Sequence, residues 1–407
     1  MGERMNGPLQ GIKVLELGAF VVAPHTAVHL ANMGAEVIKI EHPVRGEPTR
    51  GLRPISILPQ TKLNPTWEKD NTNKKSIGLD LMKEPGKEIL YRLINRTDVF
   101  VTNLQPEVLR RLGADYETLA RMNPRLVYAL ATGWGLKGPD KDQPAFDLTA
   151  WARSGLMGTM GEPDSPPISC LPGLGDHMAS LALAYGIMLA LFHREKTSEG
   201  QRVHASLLGT LVDIGSINLQ ACLFADGQDL PRVSRKDAVN PLWNTYKTKD
   251  NRWIQLAMLQ TDPSWHDFCQ ILNIQELEHD PRFNSHHRRC EVNGRVLVQI
   301  LDEIFASRSL AEWAECFKGR KIIWGVVNTY GQLAADPQLL ENDYIVKMDH
   351  PSAGQISLVG LPVQLNKTPG GIETLAPELG EHTEEVLLQI GYSWEDITRL
   401  KEDQVIN

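Results

Sequence analysis

An α/β protein with a doubly wound, Rossmann-like large domain and an inserted smaller α+β domain is the fold class this sequence predicts. Three observations predict it. Short apolar strand candidates alternate with helical segments between residues 12 and 130, the pattern of a parallel sheet with crossover helices. A hairpin followed by several helices then occupies residues 243–318. After about residue 335 the chain returns to strand and turn and closes with a helix at residues 383–390.

The first strand candidate is Ile12-Lys13-Val14-Leu15-Glu16-Leu17, and a helix at residues 24–33 follows, with Gly34 suited to close it. Glu36-Val37-Ile38-Lys39-Ile40-Glu41 is the second strand; a helix between two strands implies parallel pairing. The alternation continues with a helix at 87–96, a strand at 98–102, a helix at 117–122 and a strand at 126–130. A nearly uncharged helix runs from about Met178 to Phe192, a short strand covers 203–206, and another helix covers 208–223. Residues 225–240 are polar and predict a linker. Beyond them, residues 243–248 and 252–257 flank a turn at 249–251 and predict a hairpin; helices follow at 265–272, 292–306 and 310–318. The expected division is therefore 1–205 for the first part of the large domain, 225–330 for the small domain and 335–407 for the second part of the large one.

The 407 residues suffice for two cores, and 42% hydrophobic with 23% charged residues is an ordinary globular composition. A net charge of −8 without a basic block argues against nucleic acid as a partner. The opening MGERMNGPLQ has no apolar run of a signal peptide, and Asn6 spoils a myristoylation signal after Gly2. The longest apolar stretch, residues 181–192, reads as too short for a bilayer and better suited to a core helix. Five scattered cysteines suggest free thiols. Together these predict a cytoplasmic protein without a membrane partner.

Several chemistries lack their motifs. The first turn reads Gly18-Ala19-Phe20-Val21-Val22-Ala23-Pro24, without the glycine fingerprint of a dinucleotide site, which opposes a nicotinamide dehydrogenase. There is no phosphate-binding Gly-Lys-Ser/Thr loop and no Gly-x-Ser-x-Gly elbow. His286, His287 and Cys290 have no second cluster at zinc spacing, and a solvated helix start explains them; with the other histidines dispersed, no metal site is expected.

What stands out is Asp176, in Pro172-Gly173-Leu174-Gly175-Asp176-His177, after a proline-rich stretch and before the apolar helix. A carboxylate at a loop-to-helix junction beside two glycines is exposed and approachable, as a nucleophile must be; by itself such an aspartate is far more often only a helix cap.

Several blocks in order resemble family III CoA-transferases. They are residues 9–17, Gly34-Ala35-Glu36-Val37-Ile38-Lys39-Ile40-Glu41, the block 71–81 with Asn73-Lys74-Lys75-Ser76-Ile77, residues 98–111, and Gly175-Asp176 followed by Gly186-Ile187 and Glu199-Gly200-Gln201-Arg202-Val203. Asp336-Pro337 and Leu379-Gly380-Glu381-His382-Thr383 complete the set, so the likeness spans nearly the whole chain. The resemblance implies CoA transfer from an acyl-CoA donor to a carboxylic acid, with Asp176 as nucleophile through an aspartyl anhydride and an aspartyl-CoA thioester. It implies CoA thioesters as substrates and no permanently bound cofactor. Gly173 and Gly175 would allow close approach beside the oxyanion. Val21, Val22, His42, Leu79, Asn103, Leu104 and Arg111 would meet CoA, and Phe146 and His177 would line the acyl pocket. A homodimer of interlocked rings is implied, or a heteromer with a homologous subunit.

Three departures stand out. His42 takes the place of a basic residue after Ile40-Glu41. Met82 falls where some members carry a lysine, with Lys83 adjacent. Met258-Leu259-Gln260-Thr261-Asp262-Pro263 replaces a glycine-rich loop. Phe146-Asp147 stands where the related α-methylacyl-CoA racemases carry His before Asp, and Phe cannot move a proton, which favours transferase over racemase. A non-catalytic acyl-CoA-binding protein would tolerate a degraded nucleophile position, whereas Asp176 is intact. The acceptor resembles aryl-substituted or 2-hydroxy acids, or substituted succinates with succinyl-CoA as donor.

Overall fold

A computed structural model describes residues 7–52 and 58–407. Residues 1–6, on which part of the targeting reading rests, lie outside the described residues. The chain divides into two compact units. The first comprises Met1–Met157, Ser169–Phe224 and Pro337–Asn407; the second comprises Gly158–Ile168 and Ala225–Asp336. The short segment 158–168 in the second unit had no sequence signal, and residues 206–224, left unassigned above, belong to the first.

The first unit is built on six parallel strands: β1 (Lys13–Leu17), β2 (Glu36–Glu41), β3 (Lys74–Gly78), β4 (Val99–Thr102), β5 (Val127–Thr132) and β6 (Arg202–Ser206). Their order, β3-β2-β1-β4-β5-β6, is that of a doubly wound sheet. β1 pairs with β2 on one side and β4 on the other, so the strand order reverses between β1 and β4. Strand alternation sends successive side chains to opposite faces. Leu15, Phe100 and Tyr128 enter one core, and Val14, Val99, Val101 and Val127 enter the other.

The helices over the sheet are α1 (Val22–Asn32), α2 (Pro65–Asn71), α3 (Glu84–Ile94), α4 (Pro106–Leu112), α5 (Tyr116–Met122), α6 (Asp147–Arg153), α7 (Leu156–Thr159), α8 (Leu174–Thr197), α9 (Leu207–Ile214) and α10 (Ser216–Phe224). The helix expected at 208–223 is two helices that bend by 76° around Gly215. α8 is twice the expected apolar run: its 24 residues are long and apolar enough to cross a membrane. Its packing supports a core helix all the same. Ala179, Leu183, Ile187 and Ala190 are buried with α1 residues Ala23 and Ala27, and buried Arg194 pairs with Asp98 at 3.0 Å.

The second unit holds an antiparallel sheet of β7 (Thr245–Lys247), β8 (Trp253–Leu256) and β9 (Trp324–Val326). Its helices are α11 (Asp262–Leu272), α12 (Gln275–Glu278), α13 (Gly294–Phe305), α14 (Leu310–Phe317) and α15 (Tyr330–Leu333). Tyr246, Phe268, Phe305, Trp313 and Phe317 are its buried aromatic core. His286–Cys290 is a helix start that is solvated only in part: His287 and Arg288 are exposed, whereas Arg289 and Cys290 are buried, and the Arg289 guanidinium binds Asp262 and Thr261. The chain then re-enters the first unit through α16 (Pro337–Glu341), the hairpin β10 (Ile345–His350) and β11 (Gly354–Val359), α17 (Thr383–Gln389) and α18 (Trp394–Glu402). Val386, Ile397, Leu400 and Ile406 pack into the same core as Leu15 and Phe100.

Candidate active site

The carboxyl ends of β1 and β4 open where the strand order reverses, the place ligands occupy in open α/β sheets. The turn after β1 is fixed from three sides. Asn103, just past β4, accepts a hydrogen bond from the Ala19 N–H at 3.0 Å and donates to the Ala19 carbonyl at 2.7 Å. The Thr102 hydroxyl donates to the Leu17 carbonyl at 2.7 Å. Glu47 accepts the Phe20 N–H at 2.7 Å, holding Phe20 at a positive φ of 62°. Beneath the turn lies a fully buried ionic group: Glu16 takes Lys39 at 2.6 Å and Lys74 at 2.8 Å. Burial alone would push the Glu16 carboxyl up, but the two ammonium groups outweigh it and hold it below its usual range.

Asp176 stands in the first turn of α8. Gly173 precedes the helix at φ +87°, a conformation that glycine adopts without strain, and Asp176 forms no capping bond with its side chain. It is half-buried, not the exposed loop carboxylate that the sequence suggested. Burial, then the charges of Asp147 and Asp70, push its carboxyl up to about 7. The helix N-terminus works in the opposite sense, favouring the anion. At neutral pH the group is thus poised between acid and carboxylate, and its anion is more basic than an ordinary aspartate.

Asp147, the first residue of α6, ties this turn down, and sequence reasoning missed it. Its Oδ2 accepts the Gly173 N–H at 2.6 Å and its Oδ1 accepts the Gly175 N–H at 3.0 Å. A side chain on Gly175 would collide with the Asp147 carboxylate and the Trp151 indole. Gly175 therefore serves a packing need and Gly173 a backbone one, and their N–H groups, expected beside the oxyanion, already point at Asp147. The dipeptide Phe146-Asp147 was visible in the sequence, but a contact across 26 residues has no periodic signal.

A second polar cluster lies alongside. His25 of α1 has Nδ1 2.7 Å from Asp70 Oδ1 of α2. The His177 ring of α8 is 4.2 Å from the His25 ring, and the His29 ring is 4.5 Å from it on another side. Burial first, then neighbouring positive charge, pushes His25 down to about 2 and His29 to about 3, and burial also lowers His177. Burial raises Asp70 to about 6. Asp70 Oδ2 is buried without a hydrogen-bond partner. Potential ligand atoms of His25, Asp70 and His177 lie within 4.8 Å of one another. The histidines are thus not dispersed, contrary to the expectation from spacing. His25 and His29 come from α1, His177 from α8 and Asp70 from α2, a convergence that sequence distance hides.

The other expected positions fall as follows. Val21 precedes α1, whereas the Val22 side chain is buried in the core. His42 is half-buried with Nδ1 accepting from the N–H groups of Val44 and Arg45 at 3.2 Å, so that nitrogen caps a turn. The Leu79 side chain is buried in the core and its N–H donates to the Glu41 carbonyl. Asn103 spends its amide on Ala19, Leu104 is partly buried against the core and Arg111 is exposed on α4. The Lys83 ammonium, next to Met82, donates to the carbonyls of Asp403 and Gln404. Phe146 is two-thirds exposed and meets Phe20 edge-on at 6.0 Å. In the second unit, Met258 is in the core and Asp262-Pro263 open α11. A cavity of about 600 Å³ beside α2 and β11, lined by Leu63, Pro65, Lys69, Ile356 and Leu358, includes none of the expected site residues.

A family model described as CoA-transferase family III matches residues 9–383. The chain is 35% identical over 406 residues to cinnamoyl-CoA:phenyllactate CoA-transferase of Clostridium sporogenes, covering 99% of this chain and 98% of that protein. It is 35% identical over 401 residues to (R)-2-hydroxy-4-methylpentanoate CoA-transferase of Clostridioides difficile, covering 98% and 99%. The structure of a CAIB/BAIF family protein from Brucella suis superimposes with a TM-score of 0.80 at 26% identity, covering 95% of this chain and all of that one. This chain belongs to CoA-transferase family III and is a CoA-transferase enzyme.

Proposed function

We propose that the enzyme moves CoA from an acyl-CoA donor to an aryl-substituted or 2-hydroxy carboxylic acid, with Asp176 as the nucleophile. The observation that carries this reading is the half-buried Asp176 carboxylate in a turn held rigid by Asp147.

The Asp176 carboxylate attacks the donor thioester carbonyl. The C–S bond breaks, CoA leaves as thiolate and a mixed anhydride remains. The thiolate attacks the Asp176 carbonyl, releasing the donor's acid and leaving an aspartyl-CoA thioester. The acceptor carboxylate then attacks that thioester carbonyl, forming a second anhydride and freeing the thiolate again. Attack of the thiolate on the acceptor's acyl carbon gives the new acyl-CoA and restores Asp176. Each step exchanges one acyl bond for another of similar energy, so no ATP and no proton transfer are needed. A carboxylate whose basicity is raised by burial is the stronger nucleophile for the first step.

CoA would lie at the carboxyl ends of β1 and β4, along the Val21 turn, Asn103, Leu104 and the exposed Arg111. Arginine suits phosphate because its fork donates two parallel hydrogen bonds. Phe146 and Phe20 would supply apolar contact to the acyl group. The acceptor class rests on the likeness to the phenyllactate and hydroxy-methylpentanoate enzymes. Racemisation would need an acid/base pair around the α-carbon, and Phe146 supplies none.

The active form is a homodimer in the cytoplasm, interlocked as rings. The exposed side chains Leu181, Tyr185, Leu189 and Phe192 recur along one stripe of α8, and Ile217 and Phe224 extend the apolar surface on α10. A second copy of the chain would bury it. Incubating the enzyme with a panel of acyl-CoA donors and carboxylic acids, and reading the CoA products by mass spectrometry, tests the substrate class. Transfer confined to acids outside the aryl and 2-hydroxy groups would refute it.

A further inference from the structure

Resting on the reading that the acceptor is a 2-hydroxy acid, we propose that Asp70, His25 and His177 form a relay, hydrogen-bonded from Asp70 to His25 and in ring contact from His25 to His177, that recognises the acceptor's 2-hydroxyl group.

The transfer chemistry uses no proton, yet His177, the residue after the nucleophile, belongs to a cluster of three imidazoles and a carboxylate. Their protonation states define what they offer. Asp70 is mostly ionised above about pH 6, and His25 stays neutral. His25 Nδ1–H therefore donates to Asp70 Oδ1 at 2.7 Å, which fixes its tautomer and leaves Nε2 as an acceptor. His177 is also neutral and packs its ring against that fixed imidazole. A neutral imidazole offers one donor and one acceptor, and a hydroxyl group asks for both.

Position agrees with chemistry. His177 follows Asp176 directly, and helix side chains lean toward the N-terminus. Its Cε1 accordingly lies 4.0 Å from where a Cβ on Gly173 would be, over the turn that presents the nucleophile. Asp70 is close enough for its charge to act on Asp176 and for His177 to act on it. A hydroxyl on the carbon next to the reacting carboxylate must be read from the immediate surroundings of Asp176, and the relay is there. Its half-buried outer member and fully buried inner members form a graded path from ligand to core.

The test compares kcat/KM for phenyllactate with that for 3-phenylpropanoate, which lacks the hydroxyl. Wild type, His177→Leu, His177→Gln and Asp70→Asn are measured, and the readout is the ratio of the two values, which cancels any common loss. Wild type should favour phenyllactate by about tenfold or more, since a polar site left unpaired penalises the analogue. His177→Leu should bring the ratio near one, Asp70→Asn should lower it, and His177→Gln, which keeps a donor and an acceptor, should restore part of it. An unchanged ratio in His177→Leu would overturn the relay while leaving CoA transfer intact. So would about one equivalent of bound metal per chain by elemental analysis, with the preference lost on chelation, since the cluster would then be a cation site. Wild-type transfer to neither acid, with Asp176 still acylated by a donor, would remove the 2-hydroxy acid reading itself and the relay with it.

Discussion

Asp147 accepts the N–H of Gly175 at 3.0 Å, so a carboxylate holds the turn that presents another carboxylate. The arrangement has two effects on Asp176. It anchors the first turn of α8, and its negative charge adds to burial in raising the Asp176 carboxyl. Asp147 is itself raised, chiefly by burial, although the hydrogen bonds from Gly173 and Gly175 pull the other way.

Asp147→Asn separates these effects. Removing the charge should move the acidic limb of the kcat/KM profile, expected near pH 7 in wild type, to lower pH. The amide has one acceptor oxygen where the carboxylate has two, so one N–H loses its partner at a cost of about 1–2 kcal/mol. The rate at pH 8 should therefore fall about tenfold even as the limb shifts. A limb that stays in place or moves to higher pH would refute the charge coupling.

Gly175→Ala should be far more harmful than a helical Gly→Ala exchange, which normally stabilises by up to about 1 kcal/mol. The new methyl would meet the Asp147 carboxylate and the Trp151 ring, so the turn must shift. Thermal melting should show a loss of about 1–3 kcal/mol from overpacking, together with a fall in kcat. A neutral or stabilising outcome would contradict the packing.

Asp176→Asn should stabilise the fold while abolishing transfer. The carboxyl is raised in the folded state, so its favourable contribution is complete below the unfolded value and is lost as pH rises through about 7. Above that, wild type carries a buried charge that asparagine does not. The stability gap should widen by about 1–2 kcal/mol from pH 5.5 to pH 8. Denaturant titrations at both values check it, and a gap independent of pH would count against a raised carboxyl.

Phe146→Leu tests the acyl pocket and the choice against racemisation. Trimming an apolar contact should change acceptor preference or KM at a cost of about 1–3 kcal/mol. Neither wild type nor the variant should exchange the α-proton of an acyl-CoA with solvent deuterium. Exchange at a rate near that of transfer would make Asp176 a general acid/base instead.

Most of the sheet was legible because its apolar strands carry their own signal: β2 lies at residues 36–41 as periodicity placed it, and β1, β4 and β5 differ by a residue or two at their ends. β3 went unnoticed as a strand because its Lys74-Lys75-Ser76 is polar; long-range partners satisfy the buried groups, Lys74 on Glu16 and the Pro24 carbonyl and Ser76 on Glu41. The local pattern together with the family resemblance singles out Asp176 as a candidate, but neither carries a signal of its burial. What escaped the sequence is long-range: Asp147 under the glycines, Asp70 and His25 beside His177, and the core position of Leu79. None of these contacts follows a helix or strand period, so no local pattern announces them.

The apolar stripe Leu181, Tyr185, Leu189 and Phe192 predicts assembly. Sedimentation at nanomolar concentration should show a dimer and no folded monomer, because an interlocked, apolar interface is obligate. Tyr185→Glu together with Leu189→Glu should give aggregated or unfolded chains. A folded, active monomer would contradict the dimer.

The central claim is that CoA and acyl groups pass through Asp176. Incubation with an acyl-CoA and hydroxylamine, followed by proteolysis and peptide mass spectrometry, tests it most directly. The account predicts a hydroxamate on Asp176, formed only when donor is present, with activity lost in step with modification. Turnover that continues while Asp176 stays unmodified, or that survives in Asp176→Ala, would contradict it.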